Sequence, residues 1–200
     1  MTYRIEKDTL GEMSVESDKL WGAQTQRAMV NFVIGKKRMP IEIIYGITIA
    51  KRAAACANCD LGVMPPEKRD LIVTACDEIL AGQWDDQFPL HIWQTGSGTQ
   101  TNMNVNEVIA HRGQQLHGGK LDDYPLFLSP NDDVNQSQST NDIFPTGMRI
   151  ATTKMLLEHT LPALDRMMAT YREKVAEYSD IKKIGRTHLM DATPLTLGQE

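Results

Sequence analysis

A heptad repeat of apolar residues in the last third of the chain limits the folds that the sequence can adopt. The apolar side chains alternate spacings of four and three residues, at Leu157, Leu161, Leu164, Met168, Tyr171, Val175 and Tyr178. This spacing predicts one apolar face, called the seam below, on a long helix over residues 141–178. The preceding sequence offers no second long helix to cover the seam. We therefore expect its partners to come from later in the chain or from other subunits.

Proline and glycine mark the ends of shorter helices before the seam. Pro40 and Gly62 enclose one helical segment, and Pro66 and Gly82 enclose the next. Proline is favoured in the first turn of a helix, and glycine just after its last residue. A third helix is predicted to begin near Thr99. Within the seam helix, Pro145 falls in the first turn, where proline is tolerated, whereas Pro162 should kink the helix.

Strand patterns are weak along the chain. Only residues 2–13 suggest a short pairing, and the final segment "TPLTLGQE" is predicted to begin a new helix. The fold class is therefore mainly α. We expect a small N-terminal helical domain over residues 1–138, followed by the start of a long-helix bundle over residues 139–200.

Composition narrows the functional class. The 200 residues are 41% hydrophobic and 24% charged, with a net charge of −5. The longest run of Lys and Arg is three residues, at 36–38, and this charge balance argues against nucleic-acid binding. No window is apolar enough to span a membrane, and the start resembles neither a secretory leader nor a transit peptide. We expect a cytoplasmic protein. Cys56, Cys59 and Cys76 are interpreted as reduced thiols, and no metal site is predicted.

Three polar stretches are richer in hydrogen-bond donors than ordinary loops. The first, "QTGSGTQTNMNVNEV", places Gly96 and Gly98 before a helix, where free N–H groups favour an anion. Its alternative is a plain glycine turn with Thr99 as the N-cap. No Gly-Lys-Ser/Thr follows, so it is not a phosphate-binding P-loop.

The second stretch, "SPNDDVNQSQSTNDIFPTG", lies directly before the seam helix. Its donors are Ser137, Ser139, Thr140 and Asn141. A capping region with Thr140 or Asn141 as N-cap would need only one of them, and the surplus favours a carboxylate site. In the third stretch, "GRTHLMDATPLTLGQE", Thr187 and His188 lie on a linker between the long helix and the predicted new helix. A lone histidine is more often a surface or core residue than a catalyst, so the pattern alone does not decide whether His188 is catalytic.

Neutral donors prevail in these stretches, and such donors suit a small carboxylate that is oriented and then released. They can support elimination next to a carboxylate: a base removes the Cβ proton of a malate-like substrate, and the donors stabilise the aci-carboxylate that forms. An acid then protonates the departing hydroxyl. A histidine can serve in that step, or position water in the reverse direction.

The segments "TGSGTQTNMNVNEVIA", "SPNDDVNQSQSTNDIFPTGMRIA" and "KIGRTHLMDATPLTLGQE" occur in the order found in a known enzyme family. With them, essentially the whole chain resembles the fumarase/aspartase superfamily and, within it, the class II fumarate hydratases. The resemblance implies reversible hydration of fumarate to L-malate, a step of the citric acid cycle, without metal or organic cofactor. It also implies a small dicarboxylate substrate and a homotetramer with active sites shared between subunits.

The resemblance assigns roles to residues in all three stretches. Substrate binding falls to Ser97, Gly98, Thr99, Ser139, Thr140, Asn141 and Thr187, and His188 is the proton donor and acceptor or activates water. Related aspartases are similar to "GRTQLQDA" at the third stretch, with glutamine in place of His188. The histidine therefore favours fumarate hydration over aspartate ammonia-lyase. A non-catalytic helical fragment is the other alternative.

One departure concerns a secondary anion site, where class II fumarases usually read His-Pro-Asn-Asp. Here the four residues are Ser129, Pro130, Asn131 and Asp132, and Leu126 stands where a basic or polar residue is common. We expect this accessory site to be weaker or differently used.

Family members run to more than twice this length, so the chain looks like their N-terminal part. By the resemblance, the rest would carry the catalytic loop with its serine base, a lysine and an asparagine that bind substrate, and the remaining bundle helices. We therefore expect the 200 residues alone to be inactive and the seam to promote association.

Overall fold

The computed structural model describes residues 2–200 and is mostly helical. Its elements are β1 (Tyr3–Asp8), β2 (Gly11–Glu16), α1 (Ala23–Asn31), α2 (Ile41–Asp60), α3 (Pro66–Leu80), a 3₁₀ turn (Asp85–Gln87), α4 (Thr99–Leu116), α5 (Thr140–Met155), a π-helical turn (Leu156–Thr160), α6 (Leu161–Glu177), β3 (Lys182–Thr187) and β4 (Met190–Thr196). The mainly α class is confirmed. None of the helices in this part of the chain is long and apolar enough to cross a membrane.

The chain divides into two compact units, one ending at Thr152 and the other comprising Thr153–Glu200. This division falls inside α5, whereas the sequence-based domain boundary lies between residues 138 and 139. The domain boundary itself stays a prediction.

Three helices supply the core of the first unit. Aliphatic side chains of α2, α3 and α4 meet there, each at most 1% exposed: Ile44, Ile47, Ile72, Ile79, Val105, Val108 and Ile109. The central helix α4 also buries many polar residues, which an ordinary amphipathic helix would turn towards water. Some of these buried polar residues belong to the candidate functional site.

Helix ends in the first unit follow the punctuation of the sequence. Gly62 and Gly82 lie just beyond α2 and α3 with φ of 73° and 75°, a left-handed conformation that glycine adopts without strain. The expected pairing near the start of the chain is also present, as the antiparallel hairpin of β1 and β2. Helix α4 begins at Thr99 as predicted, but its N-cap is Gly98, so the alternative of Thr99 as N-cap is wrong.

In the second unit, the π-helical turn ends two residues before Pro162. Proline has no N–H to donate and its ring crowds the preceding turn, and the wider π turn accommodates both effects. The seam is exposed, with Leu157, Tyr171 and Val175 at 58%, 62% and 53% of their full exposure. The described residues leave this face uncovered, as the heptad spacing predicts.

The helix predicted for "TPLTLGQE" is wrong, because these residues form strand β4 and a following turn. Antiparallel pairing with β3 runs from Thr187↔Met190 to Lys182↔Thr196. The Thr-Pro pair resembles a helix start locally, but the partner strand supplies hydrogen bonds that a helix would otherwise provide. Because of this hairpin, Thr187 and His188 lie at a strand end and a tight turn rather than on a linker.

Candidate functional site

The first donor stretch forms a tight loop that leads into α4. The backbone N–H of Gly98 donates to the carbonyl of Thr95 at 3.0 Å, and the hydroxyls of Ser97 and Thr99 lie 2.9 Å apart. Gly98 has a φ of 73° and carries the Phe144 ring against its Cα, where a Cβ atom would clash. Ser97 and Thr99 are exposed. The loop therefore presents two hydroxyls and a helix N-terminus to solvent.

The second donor stretch forms the start of α5. Ser139 precedes the helix, and its hydroxyl oxygen accepts a hydrogen bond from the backbone N–H of Asn141 at 3.2 Å. The capping role predicted for Thr140 or Asn141 thus belongs to Ser139. Thr140 is partly buried and Asn141 is exposed. Capping consumes only Ser139 and leaves the other two side chains available.

The fold brings these two stretches together. Asn102 of α4 donates from Nδ2 to Oγ1 of Thr140 at 2.9 Å, which joins the first turn of α4 to the first residue of α5. Phe144 of α5 packs against Gly98 at the same junction. Two helix N-termini rich in neutral donors therefore lie side by side within the first unit, an arrangement that favours an anion.

A buried lysine underlies this junction. Lys51 of α2 is 0% exposed, and its Nζ donates to Asn135 Oδ1 at 3.1 Å and to Gln138 Oε1 at 3.2 Å. Asn135 Oδ1 also accepts from Asn102 Nδ2 at 3.0 Å. Burial lowers the pKa of Lys51 to about 7. The lysine thus connects α2 to the segment that leads into α5.

This hydrogen-bond network is not apparent from the sequence. Lys51 looks like a solvated charge in an alanine-rich helix, and Asn135 looks like one polar loop residue among many. The spacing of Asn102 and Asn106, four residues apart on one helix face, is the signal that could have found it. Asn106 Nδ2 also approaches Asn135 Oδ1, at 3.4 Å.

Thr187 and His188 lie in the second unit, at the turn of the β3–β4 hairpin. His188 and Leu189 have φ of 52° and 62°, as in a two-residue type I′ turn, although that turn favours Asn and Gly. The hydroxyl of Thr187 is 3.0 Å from Nδ1 of His188, and both residues are exposed. Left-handed backbone at two non-glycine residues stores strain, which is common at functional sites.

The four residues of the predicted secondary anion site form a turn before α5. The hydroxyl of Ser129 accepts from the backbone N–H of Asp132 and donates to its carboxylate, both at 3.1 Å. Ser129, Pro130 and Asn131 line a cavity of about 430 Å³, which Glu6 and Asp8 also line. Lys7 also lines this cavity, so its wall carries charges of both signs. A weaker or differently used anion site stays a prediction.

Glu6 and His111, which also line this cavity, form a buried acid–histidine pair. His111 donates from Nδ1 to the carbonyl of Leu20 at 2.8 Å, and its Nε2 is 3.1 Å from Glu6 Oε1, off the line of a hydrogen bond. Burial opposes ionisation of Glu6, but His111, Tyr124 and Arg4 together lower the pKa of this carboxyl group. These contacts tie β1 to α4.

Glu107 caps α1 from the side, and its buried carboxylate accepts from the backbone N–H groups of Gly22, Gln24 and Thr25 at 2.9, 2.8 and 3.1 Å. Burial raises the pKa of Glu107. Its contacts are structural. Within residues 2–200, no three His, Cys, Asp or Glu side chains are grouped so as to hold a metal ion.

Comparison with known proteins places the chain in a family. A family model described as Lyase (Lyase_1) matches residues 11–200. The chain belongs to this lyase family. Fumarate hydratase class II from Haemophilus influenzae is 61% identical to the lyase chain over 201 residues, covering 100% of it and 43% of that protein. Fumarate hydratase class II from Bacillus anthracis is 56% identical over 200 residues, with the same coverage. The lyase chain thus spans less than half the length of these relatives.

Solved structures agree with this assignment. The crystal structure of recombinant class II fumarase from Schistosoma mansoni matches the lyase chain with a TM-score of 0.93 and 43% identity, covering 99% of it and 42% of that chain. The fumarate lyase:delta crystallin structure from Brucella melitensis matches with a TM-score of 0.93 and 42% identity, covering 99% and 46%. The resemblance to class II fumarate hydratases drawn from the sequence motifs is confirmed.

Proposed function

We propose that this lyase chain takes part in the reversible hydration of fumarate to L-malate. The observation that carries the proposal is the 2.9 Å hydrogen bond from Asn102 to Thr140, which holds the two donor-rich helix N-termini together. Hydroxyl, amide and backbone N–H donors at this junction suit the carboxylates of a small dicarboxylate. The names of the relatives, fumarate hydratase class II, give the substrate.

Binding roles at the junction follow from what each side chain leaves unpaired. Ser97 and Thr99 offer exposed hydroxyls at the first N-terminus, with Gly98 allowing close approach of the backbone. Thr140 and Asn141 offer donors at the second, where Ser139 caps the helix. As Cβ deprotonation builds an aci-carboxylate, hydrogen bonds from these donors strengthen because the charge on the carboxylate oxygens increases.

His188 is the proposed proton donor and acceptor, or the residue that activates water, and Thr187 assists binding. The turn keeps the imidazole exposed, with Nδ1 against the Thr187 hydroxyl and Nε2 directed away from that contact by the ring geometry. A histidine changes charge near neutral pH, as protonation of a departing hydroxyl requires. A glutamine, as in the aspartase pattern, could not exchange a proton in this way.

Self-association into a homotetramer is part of the proposal. The uncovered seam supports it, because Leu161, Leu164 and Met168 are 42%, 42% and 45% exposed on one helix face. An apolar stripe of this kind is typical of a helix that packs against other helices. The turn at Ser129, Pro130, Asn131 and Asp132 is proposed as a weak secondary anion site.

A chimera tests the activity. Residues 1–200 of this chain replace the matching 43% of the Haemophilus influenzae relative, and fumarate formation is followed by ultraviolet absorbance with L-malate and, separately, with L-aspartate. We expect fumarate from L-malate alone, and a loss of at least about a hundredfold in kcat with His188→Gln. Fumarate from L-aspartate alone would favour ammonia-lyase chemistry. A folded chimera that forms fumarate from neither L-malate nor L-aspartate would favour a non-catalytic helical role.

A further inference from the structure

The amino group of Lys51 is completely buried among neutral partners. Its contacts are the side-chain oxygens of Asn135 and Gln138, and among residues 2–200 no carboxylate lies within ion-pair distance of it. Burying an amino group is more costly than burying an apolar side chain of similar size, whether it is a cation without an opposite charge or a neutral amine that needs hydrogen-bond partners. Packing alone therefore does not account for a lysine at this position.

Lys51 fixes the direction of the hydrogen bonds around it. The amino group of Lys51 has N–H groups for both of its hydrogen bonds whether it is protonated or neutral. Lys51 donates to Asn135 Oδ1 and Gln138 Oε1, and Nδ2 of Asn135 donates to the carbonyl of Gln138 at 2.9 Å, so the oxygen of the Asn135 amide faces Lys51. The same oxygen faces Nδ2 of Asn102 at 3.0 Å and Nδ2 of Asn106 at 3.4 Å. A flipped amide at Asn135 would place N–H groups against the donors of Lys51, Asn102 and Asn106, so all three must donate to it.

Asn102 extends the same order of hydrogen-bond donors and acceptors to Thr140. Its Nδ2 has two hydrogens, one directed to Asn135 and the other to Oγ1 of Thr140 at 2.9 Å. The hydroxyl of Thr140 therefore accepts on this side and keeps its own hydrogen free. Within the described part of the chain, that hydrogen has no acceptor. Thr140 is the first residue of α5, where the helix dipole also favours an anion.

We propose that Lys51 is a positioning residue that sets the hydrogen-bond polarity of Thr140, so that this hydroxyl presents a hydrogen to a carboxylate ligand. The effect passes through Asn135 and then Asn102, and Lys51 itself does not touch the ligand. The identity of the ligand rests on the proposed function. The order of donors and acceptors rests on the hydrogen bonds alone.

Two isosteric variants separate polarity from charge. In Asn102→Asp the donor towards Thr140 becomes an acceptor, so the Thr140 hydroxyl turns inward and its hydrogen is lost to the ligand. In Asn135→Asp an oxygen still faces Lys51 and Asn102, so the polarity of Thr140 is kept, and the bond that is lost is the one from Asn135 Nδ2 to the carbonyl of Gln138. Each variant adds one negative charge to the same network, and each therefore controls for the other.

The measurement is the dissociation constant of fumarate by titration calorimetry on the purified chain. We expect Asn102→Asp to bind fumarate at least about tenfold more weakly than Asn135→Asp, the effect of losing one hydrogen bond to a charged group. Equal weakening in the two variants would overturn the proposal, because it would show that added charge, and not polarity, matters.

A second readout needs no ligand. Hydrogen exchange of the Asn102 side-chain amide is measured by NMR in the unchanged chain, in Lys51→Met and in Lys68→Met. Lys68 pairs with Asp133 of the same loop at 2.7 Å, so its variant removes a neighbouring lysine without affecting Asn135. We expect at least about tenfold faster exchange in Lys51→Met only, since an unmade hydrogen bond leaves the amide open to water.

Unchanged exchange in a folded Lys51→Met chain would overturn the positioning role even if fumarate binds. If the unchanged chain fails to bind fumarate, the proposed function is contradicted for this chain, and the exchange result still decides the role of Lys51. If Lys51→Met does not fold, the shorter apolar variant Lys51→Leu takes its place in the exchange measurement.

Discussion

Gly46 of α2 and Gly147 of α5 let two helix backbones touch. A Cβ atom on Gly46 would lie 2.9 Å from the carbonyl carbon of Gly147, and one on Gly147 would lie 2.8 Å from the backbone nitrogen of Ile47. At each position the Cβ would meet backbone atoms, which cannot move aside as a flexible side chain would, and at Gly147 it would also meet the side chain of Ile47. This crossing fixes the start of α5, and with it Thr140, against the helix that carries Lys51.

Gly147→Ala should therefore lower the free energy of unfolding by about 1–3 kcal/mol, the usual effect of overpacking. Helix propensity alone would act the other way, since alanine is favoured over glycine inside a helix. Urea unfolding measures the change, with Gly96→Ala as control because a Cβ there meets nothing within 4 Å. A stabilised Gly147→Ala chain would contradict the close crossing.

The stability of the chain should rise with pH just above neutrality because of Lys51. Burial lowers its pKa to about 7 from an ordinary value of 10.5, so between these values the unfolded chain binds a proton that the folded chain does not. The free energy of unfolding then increases with pH, by about 1 kcal/mol per unit. The nearby thiol of Cys76 acts oppositely only at higher pH, since burial raises its pKa to about 12 from 9.0.

Urea unfolding between pH 7 and 8.5 isolates this effect. The difference in slope between the unchanged chain and Lys51→Met cancels every other titrating group. We expect the slope to fall in Lys51→Met and to persist in Lys68→Met. Parallel pH profiles for the unchanged chain and Lys51→Met would mean that the buried lysine stays charged at this pH.

The turn between β3 and β4 should carry strain at Leu189, whose φ is 62°. Leu189→Gly should stabilise the hairpin by about 1 kcal/mol, because glycine adopts this conformation without a steric penalty. Met190→Gly is the control, since it lies in β4, where glycine weakens a strand. Hydrogen exchange of the strand amides should slow in the first variant and accelerate in the second. Faster exchange in Leu189→Gly would argue against strain.

The seam should drive association of the chain. We expect sedimentation velocity to show oligomers for the unchanged chain and a monomer for the double variant Leu164→Glu, Met168→Glu, because charges on an apolar helix face oppose its burial. Arg166→Glu lies off the seam and should leave association unchanged. A monodisperse, cooperatively folding monomer of the unchanged chain would contradict the proposed assembly.

Local residues explain which parts of the fold can be predicted. Gly62 and Gly82 end their helices because glycine adopts a left-handed backbone conformation without strain. The seam can be predicted because its spacing lies within one continuous helical segment of the sequence. The hairpin at Thr187 depends on pairing with Met190 and beyond, so "TPLTLGQE" alone suggests a helix. Propensity gives way there to contacts that a local pattern does not contain.

The candidate site divides in the same way. Its exposed donors, such as Ser97 and Asn141, are visible as a surplus of polar residues beyond what capping needs. The burial of Lys51 is not visible, because it depends on Asn135, which is 84 residues away in sequence. The same holds for Asn102 and Thr140, 38 residues apart. Contacts over such separations arise only when the helices pack.

The most direct test of the carboxylate site is an NMR titration of the purified, isotope-labelled chain with fumarate. We predict that the backbone N–H signals of residues 97–99 and 139–141 shift together with one dissociation constant, and that Thr140→Val weakens it about tenfold. Shifts confined to residues 129–132, or none at all, would contradict a carboxylate site at the junction of α4 and α5.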